Sequence, residues 1–328
     1  MDQVNWGIIG LGKIAHKMAQ DLLLAQERGA VLYAVASRSQ EKADEFGRKY
    51  RATKAYPQYK DLIQDPKVDV VYIATPHVMH ADLSIRCMEA GKAVLCEKPL
   101  AMSEGQAQSM IDTAQRQKAF LMEGMWTRFM PSTEKVLDML GQGVIGEIRS
   151  IRADFGYQGH FDPQSRLFKK ELGGGALLDI GIYPLYLAQL LLGAPQKLEA
   201  LAKFGPTQVD HSCNMITQYA NGALGILDAS LEVHTPIEAW IHGDQGCIRM
   251  HHRFHHATQA SLYEKDELMA THDLPYVGNG YYHEALEVMD CLREGKTQSD
   301  KMSHQDSLTL MQSLDLGRQK IGLEYPLD

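Results

Sequence analysis

Val4-Asn5-Trp6-Gly7-Ile8-Ile9-Gly10-Leu11-Gly12-Lys13-Ile14-Ala15 is a short apolar run that leads into Gly-x-Gly-x-x-Ala and then into a helical pattern. A strand that breaks at two spaced glycines and restarts as a helix is how open α/β sheets bind a dinucleotide. Gly10 permits the tight turn, Gly12 lets a pyrophosphate reach bare backbone, and Ala15 lets the helix lie close to the strand. Lys13 and Ile14 open the helix, whose free N–H groups point at the phosphates. A second apolar strand, Val31 to Ala36, follows after one helix length and ends in Ser37-Arg38. An NAD-specific site places Asp or Glu there to accept from the ribose 2′-hydroxyl. A serine hydroxyl and a guanidinium suit a 2′-phosphate, so NADP is expected as cofactor in preference to NAD.

Composition narrows the function classes. The chain has 328 residues, 45% of them hydrophobic, and a net charge of −8. That length supports two domains with full cores. No basic run occurs, so neither nucleic acid nor an anionic membrane is an expected partner. The most apolar stretch, Ala176 to Leu192, contains Asp179, Gly181, Tyr183, Pro184 and Gln189, which suits a buried helix better than a membrane span. Five scattered cysteines and the lack of a leader-like N-terminus give the expectation of a reduced, cytoplasmic protein.

The βαβ rhythm continues through residues 1–124: Val68 to Ala74 reads as a buried strand, Met79 to Ala90 as a helix, Ala93 to Cys96 as a strand, and Ala119 to Glu123 as another. From about residue 125 to 328 the pattern changes. Segments alternating at period two recur at Leu198 to Phe204, Cys213 to Tyr219, Ala223 to Val233, Ile237 to His242 and Cys247 to His251. Asn221-Gly222 is a two-residue hairpin signal. The expectation is a doubly wound parallel sheet followed by an α+β domain whose mostly antiparallel sheet has one open face.

Three strings carry chemistry. Thr75-Pro76-His77-Val78-Met79-His80 and Cys96-Glu97-Lys98-Pro99 each follow a buried strand, at the sheet edge where ligands bind. This points to Thr75, Pro76, His77, His80, Glu97 and Lys98 as cofactor-side residues, and Lys98 as one used in the reaction, because a strand-end lysine is costly unless solvated, paired or used. Gly173 to Tyr183 is a glycine loop running into a helix on which Asp179 and Tyr183, four apart, share one face. His251-His252-Arg253-Phe254-His255-His256 contains histidine pairs four apart, a spacing that suits a metal on a helix. With a strand before them and no acidic or cysteine neighbour, no metal is expected.

Glu97-Lys98-Pro99 and Gly174-Gly175-Ala176-Leu177-Leu178-Asp179-Ile180-Gly181 together resemble the signatures of the Gfo/Idh/MocA family of nicotinamide-dependent oxidoreductases, and the likeness covers nearly the whole chain. The resemblance implies a Rossmann domain and a catalytic, cofactor-contacting Lys98. Tyr183 stands where many members carry histidine. That departure, with Glu123 to Phe129, is similar to the branch containing dimeric dihydrodiol dehydrogenase, NADP-linked D-xylose dehydrogenase and glucose-fructose oxidoreductase. It implies a sugar, polyol or vicinal-diol substrate and a homodimer or larger homo-oligomer. On this reading Tyr183 exchanges the proton, Lys98 tunes it, Asp179 orients the lysine or a substrate hydroxyl, and Trp126 and Arg166 line the substrate site. The alternative is a nucleotide-sensing protein on the same fold without turnover.

Overall fold

The computed structural model describes residues 3–326. By packing, the chain divides into one unit running through Trp126 and including Val277–Leu308, and a second made of Thr127–Tyr276 and the segment from Thr309 onward. The stretch from Val277 to Leu308, read from sequence as part of the second domain, thus packs with the first unit.

The first unit alternates β1 (Val4–Ile9), α1 (Lys13–Leu24), β2 (Ala30–Ala36), α2 (Gln40–Tyr50), β3 (Lys54–Tyr56), α3 (Tyr59–Gln64), β4 (Val70–Ile73), α4 (His80–Glu89), β5 (Ala93–Glu97), α5 (Glu104–Gln117) and β6 (Leu121–Gly124). All six strands are parallel in the order β3-β2-β1-β4-β5-β6. The order reverses between β1 and β4, which makes their adjacent exits the switch point where such sheets bind ligands. Val4, Trp6, Ile8, Ile9 and the whole of β4 are buried, as strands covered on both faces must be.

The second unit contributes α6 (Pro131–Gly141), β7 (Ile148–Gly156), α7 (Ile182–Leu192), β8 (Lys197–Phe204), β9 (Asp210–Gln218), β10 (Leu224–Ser230), β11 (Ala239–Gly243), β12 (Cys247–Met250), β13 (Gln259–Glu264) and β14 (Glu267–Asp273). The sheet order is β14-β13-β12-β11-β7-β10-β9-β8, antiparallel except where β7 pairs with β10. Two helices follow, α8 (Tyr281–Arg293) in the first unit and α9 (His304–Ile321). Along β8 to β10 burial alternates: Leu198, Met215 and Leu227 are covered, whereas Leu201, Ile216, Leu224 and Ile226 are exposed. Ile216 and Ile226 sit directly opposite one another on the open face.

One local expectation needs correction. The β9–β10 hairpin is not a two-residue turn: Gly222 N–H donates to Tyr219 O, Tyr219 N–H to Ala223 O, and only Gly222 has positive φ. That is the three-residue loop with a left-handed glycine, and Asn221 is spent accepting from Ala223 N–H. The hairpin of β13 and β14 was missed because its outer strand, Glu-Leu-Met-Ala-Thr-His-Asp, is mostly exposed and lacks a buried alternation. Lys170–Leu192 is apolar and long enough to cross a membrane, but 83% of its most apolar window is buried in the protein, as a core helix is.

Candidate active site

At the exit of β1, Gly10 has φ of +88°, and a Cβ there would lie 2.7 Å from Ala74 O on the neighbouring exit of β4. Only glycine fits between these two strand ends. Gly12 is different: a Cβ built on it would meet nothing within 4 Å. It caps α1 with no side chain bonding the first turn, and no acidic residue occupies that turn. Open space, bare N–H groups and the absence of a competing carboxylate fit a dinucleotide pyrophosphate. At the end of β2, Ser37 is half-buried and Arg38 exposed, while Ser39 caps α2 by accepting from Lys42 N–H.

The exits of β4 and β5 carry the next group. Thr75 is buried, and its hydroxyl has no hydrogen-bond partner among the described residues, a vacancy in its bonding that a ligand polar group can fill. His80 is fully buried, with Nδ1 2.9 Å from Pro99 O and Nε2 3.0 Å from Thr75 O. His77 is buried with its ring edge-on to His80 at 5.6 Å. Lys98 is half-buried and follows Glu97, whose Oε1 accepts from the Tyr72 hydroxyl. Burial and the Glu97 charge hold the Tyr72 phenol well above its ordinary range.

Glu123, fully buried beneath this corner, accepts from Leu100 N–H at 2.8 Å. Burial pushes its carboxyl up to about 7 against the opposing pull of Ser307, Leu100 N–H and Lys98. Trp126 is buried and stacks on Tyr281, ring centroids 4.8 Å apart and 18° between planes.

In the second unit the glycine loop enters a helix whose first turn, Leu177–Gly181, is a π-turn continuing into α7. Such turns concentrate at functional sites. Gly175, at φ +129°, leaves room for Asp210: a Cβ there would lie 2.1 Å from Asp210 Oδ1. Asp210 Oδ2 accepts from Leu177 N–H at 2.6 Å and so caps this helix start from β9. Burial pushes the Asp210 carboxyl up to about 7 despite those backbone donors.

Asp179 and Tyr183 are both buried on this helix. Arg166 Nη1 donates to Asp179 Oδ1 at 2.8 Å, with the arginine side chain 45% exposed and the carboxylate 7%. The structure therefore joins two residues that the sequence placed in separate roles. Sequence reasoning missed three neighbours. Tyr157 stands near this pair: burial, with the Asp179 charge, pushes its phenol up to about 12 against the pull of Arg166. Phe155 and His255 pack on the Tyr183 ring at 5.6 and 4.9 Å between centroids, and stack on each other at 4.3 Å. The strand-end aromatic pair Phe155 and Tyr157 was the available signal for two of them.

The histidine run is split between β12's end and a short 3-10 turn, Phe254–His256, so its pairs do not share one helix. His251 bonds Ser261, His252 bonds Pro236 O, His256 bonds the Tyr276 hydroxyl, and Thr127 donates to His255 O. Among the described residues no three His, Cys, Asp or Glu side chains gather as a metal site.

Comparison with known proteins matches residues 4–125 to the oxidoreductase family with an NAD-binding Rossmann fold and residues 133–249 to the GFO/IDH/MocA C-terminal domain. The chain belongs to the Gfo/Idh/MocA family. It is therefore an NAD(P)-binding oxidoreductase, with the parallel and antiparallel sheets that family combines. Trans-1,2-dihydrobenzene-1,2-diol dehydrogenase of Xenopus tropicalis is 34% identical, covering 98% of this chain and 99% of that protein. The Homo sapiens enzyme of the same name is 32% identical over 99% of each. Among solved structures, the 3-ketoreductase KijD10 of Actinomadura kijaniata, in complex with NADP and TDP-benzene, superposes with a TM-score of 0.85 at 28% identity, covering 97% of this chain and 98% of that one. Levoglucosan dehydrogenase with NADH and L-sorbose shares the fold at a TM-score of 0.89 and 24% identity, covering 98% of this chain and 97% of that one.

Proposed function

We propose that this oxidoreductase is an NADP-dependent dehydrogenase or reductase acting on a sugar, polyol or vicinal diol, with Tyr183 as the proton donor and acceptor. The observation that carries this reading is the seat of Tyr183: a phenol buried on the helix behind the glycine loop, its ring packed against the stacked pair Phe155 and His255, one turn from the Arg166–Asp179 pair. The names of the full-length relatives, diol dehydrogenases, support the substrate class.

Gly10, Gly12, Lys13 and Ile14 would hold the pyrophosphate, Ser37 and Arg38 the 2′-phosphate, and Thr75, Pro76, His77 and Glu97 the side nearer the reacting ring, with His80 behind them, both of its ring nitrogens on backbone carbonyls. When bound, the nicotinamide gives or takes the hydride. The chain's own part is the proton. A free phenol titrates near about 10, so Tyr183 needs a cation to work near neutral pH, and Lys98 is our candidate for that role. Arg166 pairs with Asp179 and would orient it toward a substrate hydroxyl. Trp126 contributes an apolar wall for the substrate.

The protein works as a homodimer or larger homo-oligomer through the open face bearing Leu201, Ile216, Leu224 and Ile226, an apolar ladder too regular for an ordinary solvent surface. A cytoplasmic location agrees with five free cysteines, four of them buried. The test is absorbance at the reduced-nicotinamide band while aldoses, polyols and diols are screened with NADP and with NAD. Turnover faster with NADP supports the reading. Tight cofactor binding with no turnover on any substrate class supports a nucleotide sensor instead.

A further inference from the structure

We propose that His80 is an imidazolium that clamps the β4 and β5 exits together, and that it is a positioning residue for Lys98. The argument is a count of donors. Nδ1 lies 2.9 Å from Pro99 O and Nε2 3.0 Å from Thr75 O. Both partners are backbone carbonyls, which only accept. A neutral imidazole carries one N–H, so either tautomer would aim a ring lone pair at a carbonyl lone pair inside a fully buried site. Protonation gives each nitrogen a hydrogen, and both contacts become charge-assisted bonds.

The position makes the clamp useful. Thr75 O belongs to the turn that leaves β4, and Pro99 O to the turn that leaves β5, one residue beyond Lys98. A single rigid ring thus ties together two strand ends already paired through Ile73 and Cys96, at the point where the chain stops being held by the sheet. Leu100 N–H, next along, is held by Glu123 and Leu100 O receives the Cys96 thiol, so the Pro99 side is fixed at each step. The titratable groups around the clamp are His77, edge-on to the ring, and on the Pro99 side Glu97, Lys98 and Glu123. The start of α4 disfavours a cation on His80, while the two carbonyls favour it and act at hydrogen-bond distance.

The role rests on Lys98 being a reaction-site residue; the protonation state does not. Histidine labelled with nitrogen-15 should show, at about pH 8, one residue with both ring nitrogens protonated, well above the ordinary histidine value of about 6.5. His80→Gln should remove that signal, since one amide cannot donate at both positions. The variant should also bind NADP about tenfold more weakly, and lose the decline in affinity that the wild type shows as alkaline pH strips the ring. If the variant does not fold, the signal is assigned in the wild type by cross-relaxation to Pro99 and the His77 ring. A neutral tautomer for His80 at about pH 7 would overturn the proposal, as would a His80→Gln protein with unchanged affinity and pH profile. An active Lys98→Ala enzyme alongside a doubly protonated His80 would leave the clamp standing and sink only the role assigned to the lysine.

Discussion

The two units present their polar groups in different ways. At the strand exits of the parallel sheet the surface is mostly main chain: bare N–H groups at Gly12, and carbonyls of Thr75 and Pro99 gripped by one histidine. At the helix start of the second unit the groups are side chains: Asp179 on Arg166, Asp210 on Leu177 N–H, Tyr183 against Phe155 and His255. A main-chain surface recognises shape and charge, and pH reaches this one through the histidine that grips it. A cluster of buried acids and phenols is where protons are moved. The contrast is in keeping with our proposal of cofactor recognition in the first and proton exchange in the second.

Lys98→Ala breaks the comparison hardest, because this half-buried side chain stands at the first unit's edge yet is assigned a share in the chemistry. Turnover should fall on the order of 10³-fold, with NADP affinity also reduced. Steady-state kinetics beside direct titration of the cofactor separates the two losses, and a loss of affinity alone would confine Lys98 to recognition.

Arg38→Ala tests the first unit's recognition without touching protons. NADP should bind about 10- to 100-fold more weakly, the loss of one charge-assisted contact of about 1.5–3 kcal/mol, while NAD binding stays nearly unchanged. Equal weakening of both cofactors would remove Arg38 as the discriminator.

Asp210→Asn sharpens the second half. The folded carboxyl sits at about 7, above the ordinary 3.8. A carboxyl raised on folding contributes stability that is fully present below its ordinary value and lost as pH rises through the folded one. The wild type should therefore lose up to a few kcal/mol between about pH 4 and about pH 7, and the asparagine variant should lose less over the same window. Glu123, raised to about 7 by burial, keeps a slope of the same sign in both proteins. Urea midpoints across that range provide the measurement, and parallel curves would refute the buried-acid account of Asp210.

The smallest effect on chemistry is expected from the open sheet face. Sedimentation at micromolar concentration should show a dimer or larger species, and Ile216→Glu should shift it toward monomer while the folded protomer is retained, since Ile216 is already exposed. A wild-type monomer would remove the interface.

The first unit was legible in the sequence because its signals are local: glycine spacing, a strand-end serine and arginine, and two short strings after buried strands, each within a few residues of the element that positions it. In the second unit the glycine loop and the Asp179–Tyr183 spacing were equally local and could be read. Arg166 with Asp179, Asp210 with Leu177 and His255 with Tyr183 are 13, 33 and 72 residues apart, and no periodicity encodes such meetings; for the first two the separation is that of the bonded pair. The π-turn was invisible for another reason: it differs from an α-turn by one residue per turn, and its apolar run satisfies either period. The histidine run does not lie on one helix because Arg253 takes a left-handed conformation, φ +60°, that breaks the pattern midway.

The central claim, that Tyr183 exchanges the proton, is tested most directly by single-turnover hydride transfer in Tyr183→Phe across pH. Phenylalanine keeps the ring against Phe155 and His255 and deletes only the hydroxyl. The expected result is a rate at least about 10²-fold below wild type with NADP affinity nearly intact. A Phe variant that transfers hydride at the wild-type rate across pH, beside an inactive Lys98→Ala, would contradict the account and make the lysine the acid and base.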